Sequence, residues 1–130
     1  MGYILSLLIH KMHMTLFFKL FSILFFFLFV WAAFLQWNDP DPYLWYFIYG
    51  MASVASLAFY LGKLPALLGV LLFLAYLIGA FFVWPEKFEG VSIGEGAIEN
   101  IERGRESLGL LLASFVMLVY TVRSFVVQRL

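Results

Sequence analysis

The sequence contains no cysteine and very little charge. Without cysteine, the chain can form no disulfide, thiolate zinc site or iron–sulfur cluster. Charged residues make up 12% of the 130 residues, about half the share in a soluble domain, whereas hydrophobic residues make up 65%. A soluble protein of this size has too small an interior to bury that much apolar surface. The composition therefore excludes a soluble globular domain and indicates a small integral membrane protein.

Four apolar segments are long enough for a helix to cross the roughly 30 Å hydrocarbon core of a bilayer. They cover residues 15–36, 43–61, 65–84 and 108–127. Aspartates and prolines separate the first two segments, and Gly62 and Pro65 separate the next two, as expected where one helix ends and another begins. We predict an all-α integral membrane bundle of four transmembrane helices, formed as a single domain by residues 15–130. Residues 1–14 are predicted to be an N-terminal extension, either an interfacial helix or sequence upstream of the true start.

The connection between the third and fourth spans contains the only helical pattern outside the predicted spans. Ser92 and Glu95 have the S-x-x-E spacing of a capping box, which is typical of a helix start. The glutamates from there on share one helix face: Glu95, Glu99, Glu102 and Glu106. We therefore predict a short amphipathic helix that leads into the last span.

Charges are unequally divided between the two sides of the predicted bundle. The side with both termini and the second turn has five basic residues and no acidic one: Lys11, Lys19, Lys63, Arg123 and Arg129. The opposite side has three basic residues and all eight acidic residues of the chain. Because Lys and Arg accumulate in cytoplasmic loops, we predict that both termini are cytoplasmic and that the acidic loops are extracytoplasmic.

The acidic loops contain the candidate site residues. We expect the first connection, residues 38–42, to approach the segment that precedes the last span. The predicted binding residues are Asn38, Asp39, Asp41, Glu99 and Arg105. A divalent cation is the one cofactor considered, because hard cations take several carboxylate oxygens. Its ligands would be Asp39, Asp41, Glu102 and Glu106.

A structural interpretation competes with both kinds of site. The glutamates then form a solvated helix face, and an ion pair between Glu99 and Arg103 reduces the repulsion among them. Asp39 and Asp41 then serve only as caps of the loop and of the second helix.

The predicted spans have no charged residue and no histidine near their centres, where ion-coupled transporters usually carry one. The interior polar side chains of the spans carry uncharged hydroxyl groups, and they are expected to form hydrogen bonds between helices. They are Ser53, Ser56, Tyr76, Ser114, Tyr120 and Thr121. No catalytic triad, P-loop or dinucleotide-binding pattern is present in the sequence.

Two motifs resemble those of the transmembrane protein 220 family. The first is QWNDPDP at residues 36–42, with Leu44 and Trp45 after it, and the second is NIERGRE at residues 100–106. The likeness extends over residues 16–127. The resemblance implies a small multispanning membrane protein and supplies no reaction.

We expect a non-catalytic membrane protein that binds a partner or a lipid through its acidic extracytoplasmic face. The alternatives are a small membrane enzyme with a divalent-metal carboxylate site, and an oligomeric channel or exporter. The expected partners are the lipid bilayer and either another membrane protein or a second copy of the chain. The formal net charge of zero gives no indication of nucleic-acid binding.

Overall fold

The computed structural model describes residues 1–128, apart from the side chains of Met14 and Gln128. Arg129, one of the predicted cytoplasmic basic residues, lies outside the described residues. The elements are α1 (Gly2–Phe34), a 3-10 turn (Leu35–Asn38), α2 (Pro42–Tyr60), α3 (Ala66–Phe82) and α4 (Ile98–Gln128). No strand occurs among the described residues, so the all-α prediction is confirmed.

The chain divides into two compact units, Met1–Leu64 and Pro65–Leu130. Each unit is built on a pair of helices, α1 with α2 in the first and α3 with α4 in the second. The prediction of one domain over residues 15–130 stays a prediction.

The first helix begins well before the predicted span. It starts at Gly2 and has 33 residues, a length of about 50 Å. Between Tyr3 and Phe34 the sequence has no glycine or proline to interrupt the helix. The predicted N-terminal extension is therefore a continuation of α1, which is longer than the roughly 30 Å bilayer core.

The first unit packs aromatic rings of α1 against α2. Phe29 is buried on α1 and stacks on Tyr49 with ring centroids 6.4 Å apart. Small buried side chains on α2 permit close packing in this hairpin. They are Ala52, Ser53, Ala55 and Ser56. Near the other end of α2, the Lys19 ammonium lies 5.5 Å from the centroid of the Tyr60 ring.

The end of α2 is a Schellman motif. Gly62 has a φ of +72°, which a residue without a Cβ adopts at little cost. Its N–H donates to the Phe59 carbonyl at 3.0 Å, and the Lys63 N–H donates to the Ala58 carbonyl at 2.7 Å. These bonds satisfy two carbonyls of the last helical turn, so the predicted helix end is confirmed.

In the second unit, serine side chains of α4 donate hydrogen bonds to backbone carbonyls of α3. Ser107 Oγ donates to the Ala80 carbonyl and Ser114 Oγ to the Phe73 carbonyl, both at 3.2 Å. Ser114 thus forms the predicted interhelical bond. Thr121 instead donates to the Met117 carbonyl of its own helix. Hydroxyl groups in helices form either kind of bond, and the sequence alone does not distinguish them.

Within residues 1–128, two segments are long and apolar enough to cross a membrane, judged by length and composition: Gly2–Asn38 and Ile98–Val127. The apolar helix α3 is shorter, with 17 residues. The number of four spans therefore stays a prediction.

Candidate functional site

The connection between α3 and α4 covers residues 83–97. The helix that follows begins after the predicted capping box at Ser92 and before the predicted span of residues 108–127. Ser92 and Glu95 do not start a helix. The Glu95 N–H donates to the Ser92 carbonyl at 3.1 Å in a turn where Gly94 has a φ of +101°, which an α-helix does not contain. The last helix begins at Ile98. The predicted capping box was wrong because the glycine takes a left-handed conformation at this point.

The predicted amphipathic helix is not a separate element. Residues 98–106 are the first turns of α4, which continues without a break to Gln128. Glu95 lies outside this helix, so the shared acidic face consists of Glu99, Glu102 and Glu106. Glu99 and Glu102 are exposed, and Glu106 is half-buried.

The connection lies directly against the first turns of α4 because Gly104 leaves room for it, and Gly96 leaves room for Glu89 within the connection. A Cβ on Gly104 would lie 2.9 Å from the Gly90 carbonyl oxygen and 3.5 Å from the Phe88 ring. A Cβ on Gly96 would lie 2.6 Å from the Glu89 carboxyl carbon. A side chain at either position would therefore displace the connection.

A hydrogen bond between polar side chains joins the middle of the connection to the first turn of α4. Asn100 Nδ2 donates to Glu89 Oε1 at 2.6 Å. This bond is the main reason why the pKa of Glu89 is lowered from its ordinary value of 4.5. The Ala97 backbone N–H and the nearby Lys87 lower the pKa further, whereas partial desolvation opposes the shift.

The predicted site residue Arg105 forms a second hydrogen bond between α4 and the connection. Its Nε donates to the Val91 carbonyl at 2.6 Å, across 14 residues of sequence. In the part of the chain that the structure describes, Arg105 forms no ion pair with a carboxylate. The predicted pair of Glu99 with Arg103 is present, with 3.7 Å between Oε1 and Nε.

The first connection has the geometry of a capped helix start. Asp39 Oδ1 accepts a hydrogen bond from the Asp41 N–H at 2.8 Å. Asp41 occupies the N-cap position of α2 and Pro42 the first helical position, as predicted, but the Asp41 side chain forms no capping bond. Asn38 ends the 3-10 turn and is exposed. Asp39 therefore stabilises the loop, while the Asp41 carboxylate is exposed.

The predicted joint site draws on residues of both units. Asp39 and Asp41 belong to the first unit, and Glu102 and Glu106 belong to the second, so their association stays a prediction. Within residues 1–128, the structure contains no group of three or more histidine, aspartate or glutamate side chains that could hold a metal ion.

Sequence reasoning missed Glu89, Asn100 and the Val91 carbonyl as parts of this arrangement. Glu89 and Asn100 are 11 residues apart, on a loop and on a helix, and no spacing rule links such positions. The available signal was the density of glycine around them, because glycine permits close approach of two backbones.

Large apolar side chains cover much of the exposed surface of both units. Examples are Phe27 on α1, Phe81 on α3 and Phe115 on α4, each more than half exposed. Together with the two long apolar segments of residues 1–128, this surface is typical of an all-α integral membrane protein.

The family described as "Transmembrane family 220, helix" matches residues 28–122, nearly three quarters of the chain, and the chain belongs to this family. The match includes both motifs that suggested the resemblance, residues 36–42 and 100–106. No curated protein and no solved structure matches the chain.

Proposed function

We propose that this protein is a non-catalytic, four-span membrane protein that binds a membrane component through its acidic extracytoplasmic surface. The surface consists of residues 83–106, that is, the connection between α3 and α4 and the first turns of α4. One observation carries the proposal. The bonds from Asn100 to Glu89 and from Arg105 to Val91 hold the connection on the helix while Glu99 and Glu102 stay exposed.

A fixed backbone with exposed charges is suited to recognition. The surface loses little conformational freedom when it binds, so less of the interaction energy is spent on ordering it. Its charge is mixed rather than uniform: Arg103 pairs with Glu99, whereas acidic Glu102 and basic Arg105 are exposed on the same helix without an ion pair among residues 1–128. Such a surface favours a partner that carries both signs of charge.

The proposed orientation places both termini in the cytoplasm. The five-to-three distribution of basic residues between the two sides supports this orientation. A reporter that is active only in the cytoplasm, fused after Leu130, should be active. Activity of a reporter that requires export at the same position would place the acidic surface in the cytoplasm and contradict the proposal.

A photo-cross-linking amino acid at position 102 tests whether the surface binds anything. The same amino acid at Lys63, at the end of α2 and on the predicted cytoplasmic side, is the control. In intact membranes, position 102 should give a discrete adduct that position 63 does not give. Equal labelling from both positions, or no adduct from position 102, would contradict a binding role.

The enzyme and channel alternatives receive no support from a specific feature of the described residues. A metal-dependent enzyme needs a group of carboxylates, and no such group of three or more is present within residues 1–128.

A further inference from the structure

Arg105 has binding capacity that the protein itself does not use. Arg105 is exposed, and among residues 1–128 its guanidinium has a partner only at Nε, the Val91 carbonyl at 2.6 Å. Both terminal nitrogens lack an ion pair with any carboxylate among residues 1–128, although Glu102 and Glu106 are close in sequence. The bond to Val91 fixes the side chain and leaves the two-pronged end of the guanidinium, which suits a phosphate, open.

The position of Arg105 along the helix agrees with the depth of lipid head groups. Ser107 is level with Ala80 because the two residues are hydrogen-bonded. Arg105 lies two residues before Ser107, about 3 Å closer to the N-terminus of α4. It is therefore level with the end of α3 at Phe82. If both helices span the bilayer, this is the level at which the spans leave the hydrocarbon core.

Aromatic side chains mark the same level. Trp84 follows α3 and stacks on Phe88 with ring centroids 5.5 Å apart, and both rings are exposed. Tryptophan is enriched where membrane proteins meet the head groups. Ile93, in the turn of the same connection, is 72% exposed. An exposed isoleucine is better accommodated in the interface than in water, so the connection is suited to contact lipid.

The charges of this surface select among lipids. Residues 86–106 contain six acidic and three basic side chains, so their net charge disfavours an anionic head group. Glu102 precedes Arg105 by three residues, a spacing that puts the two side chains on neighbouring positions of one helix face. Glu102 is about 4.5 Å further from the proposed membrane core along the helix. Opposite charges at this spacing match a phosphate joined by a short linker to an ammonium group.

We propose that Arg105 and Glu102 bind the head group of a zwitterionic phospholipid. The Arg105 guanidinium donates hydrogen bonds to the phosphate, and the Glu102 carboxylate pairs with the ammonium group of the same lipid. The apolar rings of Trp84 and Phe88 contact the upper part of its acyl chains. This inference rests on the proposed function, because it requires residues 83–106 to be a binding surface at the membrane.

Native mass spectrometry of the full chain in detergent tests the inference. The probes are a short-chain phosphatidylcholine, a short-chain phosphatidylglycerol and inorganic phosphate. Arg105→Gln should weaken phosphatidylcholine binding about tenfold, since it removes charge-assisted hydrogen bonds. Arg103→Gln is the matched control, because Arg103 is an exposed arginine of the same helix turn that pairs with Glu99. It should change the affinity less than twofold.

Glu102→Gln is the second variant, and it leaves the bond from Arg105 to Val91 in place. It should weaken phosphatidylcholine binding and strengthen phosphatidylglycerol binding, which reverses the lipid preference. Circular dichroism and gel filtration of both variants would reveal whether Arg105→Gln releases the connection from α4. If it does, the lipid preference of Glu102→Gln still tests the inference.

Three results would overturn the inference. Equal effects of Arg103→Gln and Arg105→Gln would show that the contact is not specific to Arg105. Tighter binding of phosphatidylglycerol by the native chain would exclude a zwitterionic ligand. Binding of inorganic phosphate as tight as that of the lipid would identify a site for free phosphate. If these lipids fail to bind while position 102 still cross-links to a protein, the proposed function holds and only the lipid is excluded.

Discussion

The side-chain amide of Asn100 donates a 2.6 Å hydrogen bond to the carboxylate of Glu89 and thereby joins α4 to the connection that precedes it. Asn100 lies in the first turn of α4, and Glu89 lies on the connection beside Gly96. The bond has a consequence for acid–base behaviour. A carboxylate that accepts a hydrogen bond from an amide is favoured over the protonated acid, so the pKa of Glu89 is lowered.

We expect the connection to loosen in acid. Because the folded pKa of Glu89 is below 4.5, the bond contributes fully above the unfolded value and loses its contribution as the pH falls through the folded pKa. Amide exchange at Glu95, whose N–H donates to the Ser92 carbonyl, should therefore accelerate below about pH 4.5 beyond its intrinsic pH dependence. Asn100→Ala should raise the pKa of Glu89 towards 4.5, as measured by carbon NMR of the carboxyl group. An unchanged pKa in this variant would show that Asn100 is not the main cause.

Gly104→Ala should displace the connection from α4. The added Cβ would lie 2.9 Å from the Gly90 carbonyl oxygen, which is backbone and cannot rotate away. Such overpacking costs about 1–3 kcal/mol, measured as a loss of free energy of unfolding in detergent. Gly50→Ala is the control, because a Cβ on Gly50 has no atom within 4 Å and the site is in a helix. That variant should be neutral or more stable by up to about 1 kcal/mol. The opposite ranking of the two variants would contradict the close contact at Gly104.

The helices were predictable because apolar runs, prolines and helix-ending glycine act locally. Pro42 starts α2, and Gly62 follows its end, as the sequence indicates. The start of α4 was mispredicted because a capping box competes there with glycines whose role is tertiary. Gly96 accommodates Glu89 and Gly104 accommodates Gly90, and only the folded chain reveals these neighbours.

In the candidate site too, local features were predictable from the sequence and tertiary contacts were not. The acidic residues of α4 were found from their spacing, which is a local property of a helix. The partner of Arg105 was not found, because it is the backbone carbonyl of Val91 and any residue type could supply it.

Lys19 should stabilise the first unit through the ring of Tyr60. The ammonium lies 5.5 Å from the ring centroid, a distance at which a cation and an aromatic face attract each other. Tyr60→Leu should lower the free energy of unfolding by about 0.5–1 kcal/mol, whereas Tyr60→Phe should retain most of the interaction. In a Lys19→Met background, the difference in free energy of unfolding between Tyr60→Leu and Tyr60→Phe should be smaller. A difference that is the same in both backgrounds would assign the effect to packing alone.

The contact of Gly69 with Thr121 should behave as a coupled pair. A Cβ on Gly69 would overlap the Thr121 hydroxyl, which donates to the Met117 carbonyl at 2.8 Å and is held in place by that bond. Gly69→Ala should therefore destabilise the packing of α3 on α4 by about 1–3 kcal/mol. Thr121→Ala removes the hydroxyl, so the double variant should be more stable than the sum of the single effects predicts, with a coupling of about 0.5–3 kcal/mol.

Gly79→Ala provides the matched control for this cycle on the same helix. Its added Cβ would lie 3.5 Å from a terminal carbon of Leu110, an ordinary contact with the flexible end of a side chain. Gly79 and Gly69 are ten residues apart on α3, a separation of about 15 Å, so Gly79→Ala should combine additively with Thr121→Ala. Chemical unfolding of the full chain in one detergent measures all the variants. Additivity in the Gly69 cycle as well would mean that α3 and α4 do not pack through these two residues.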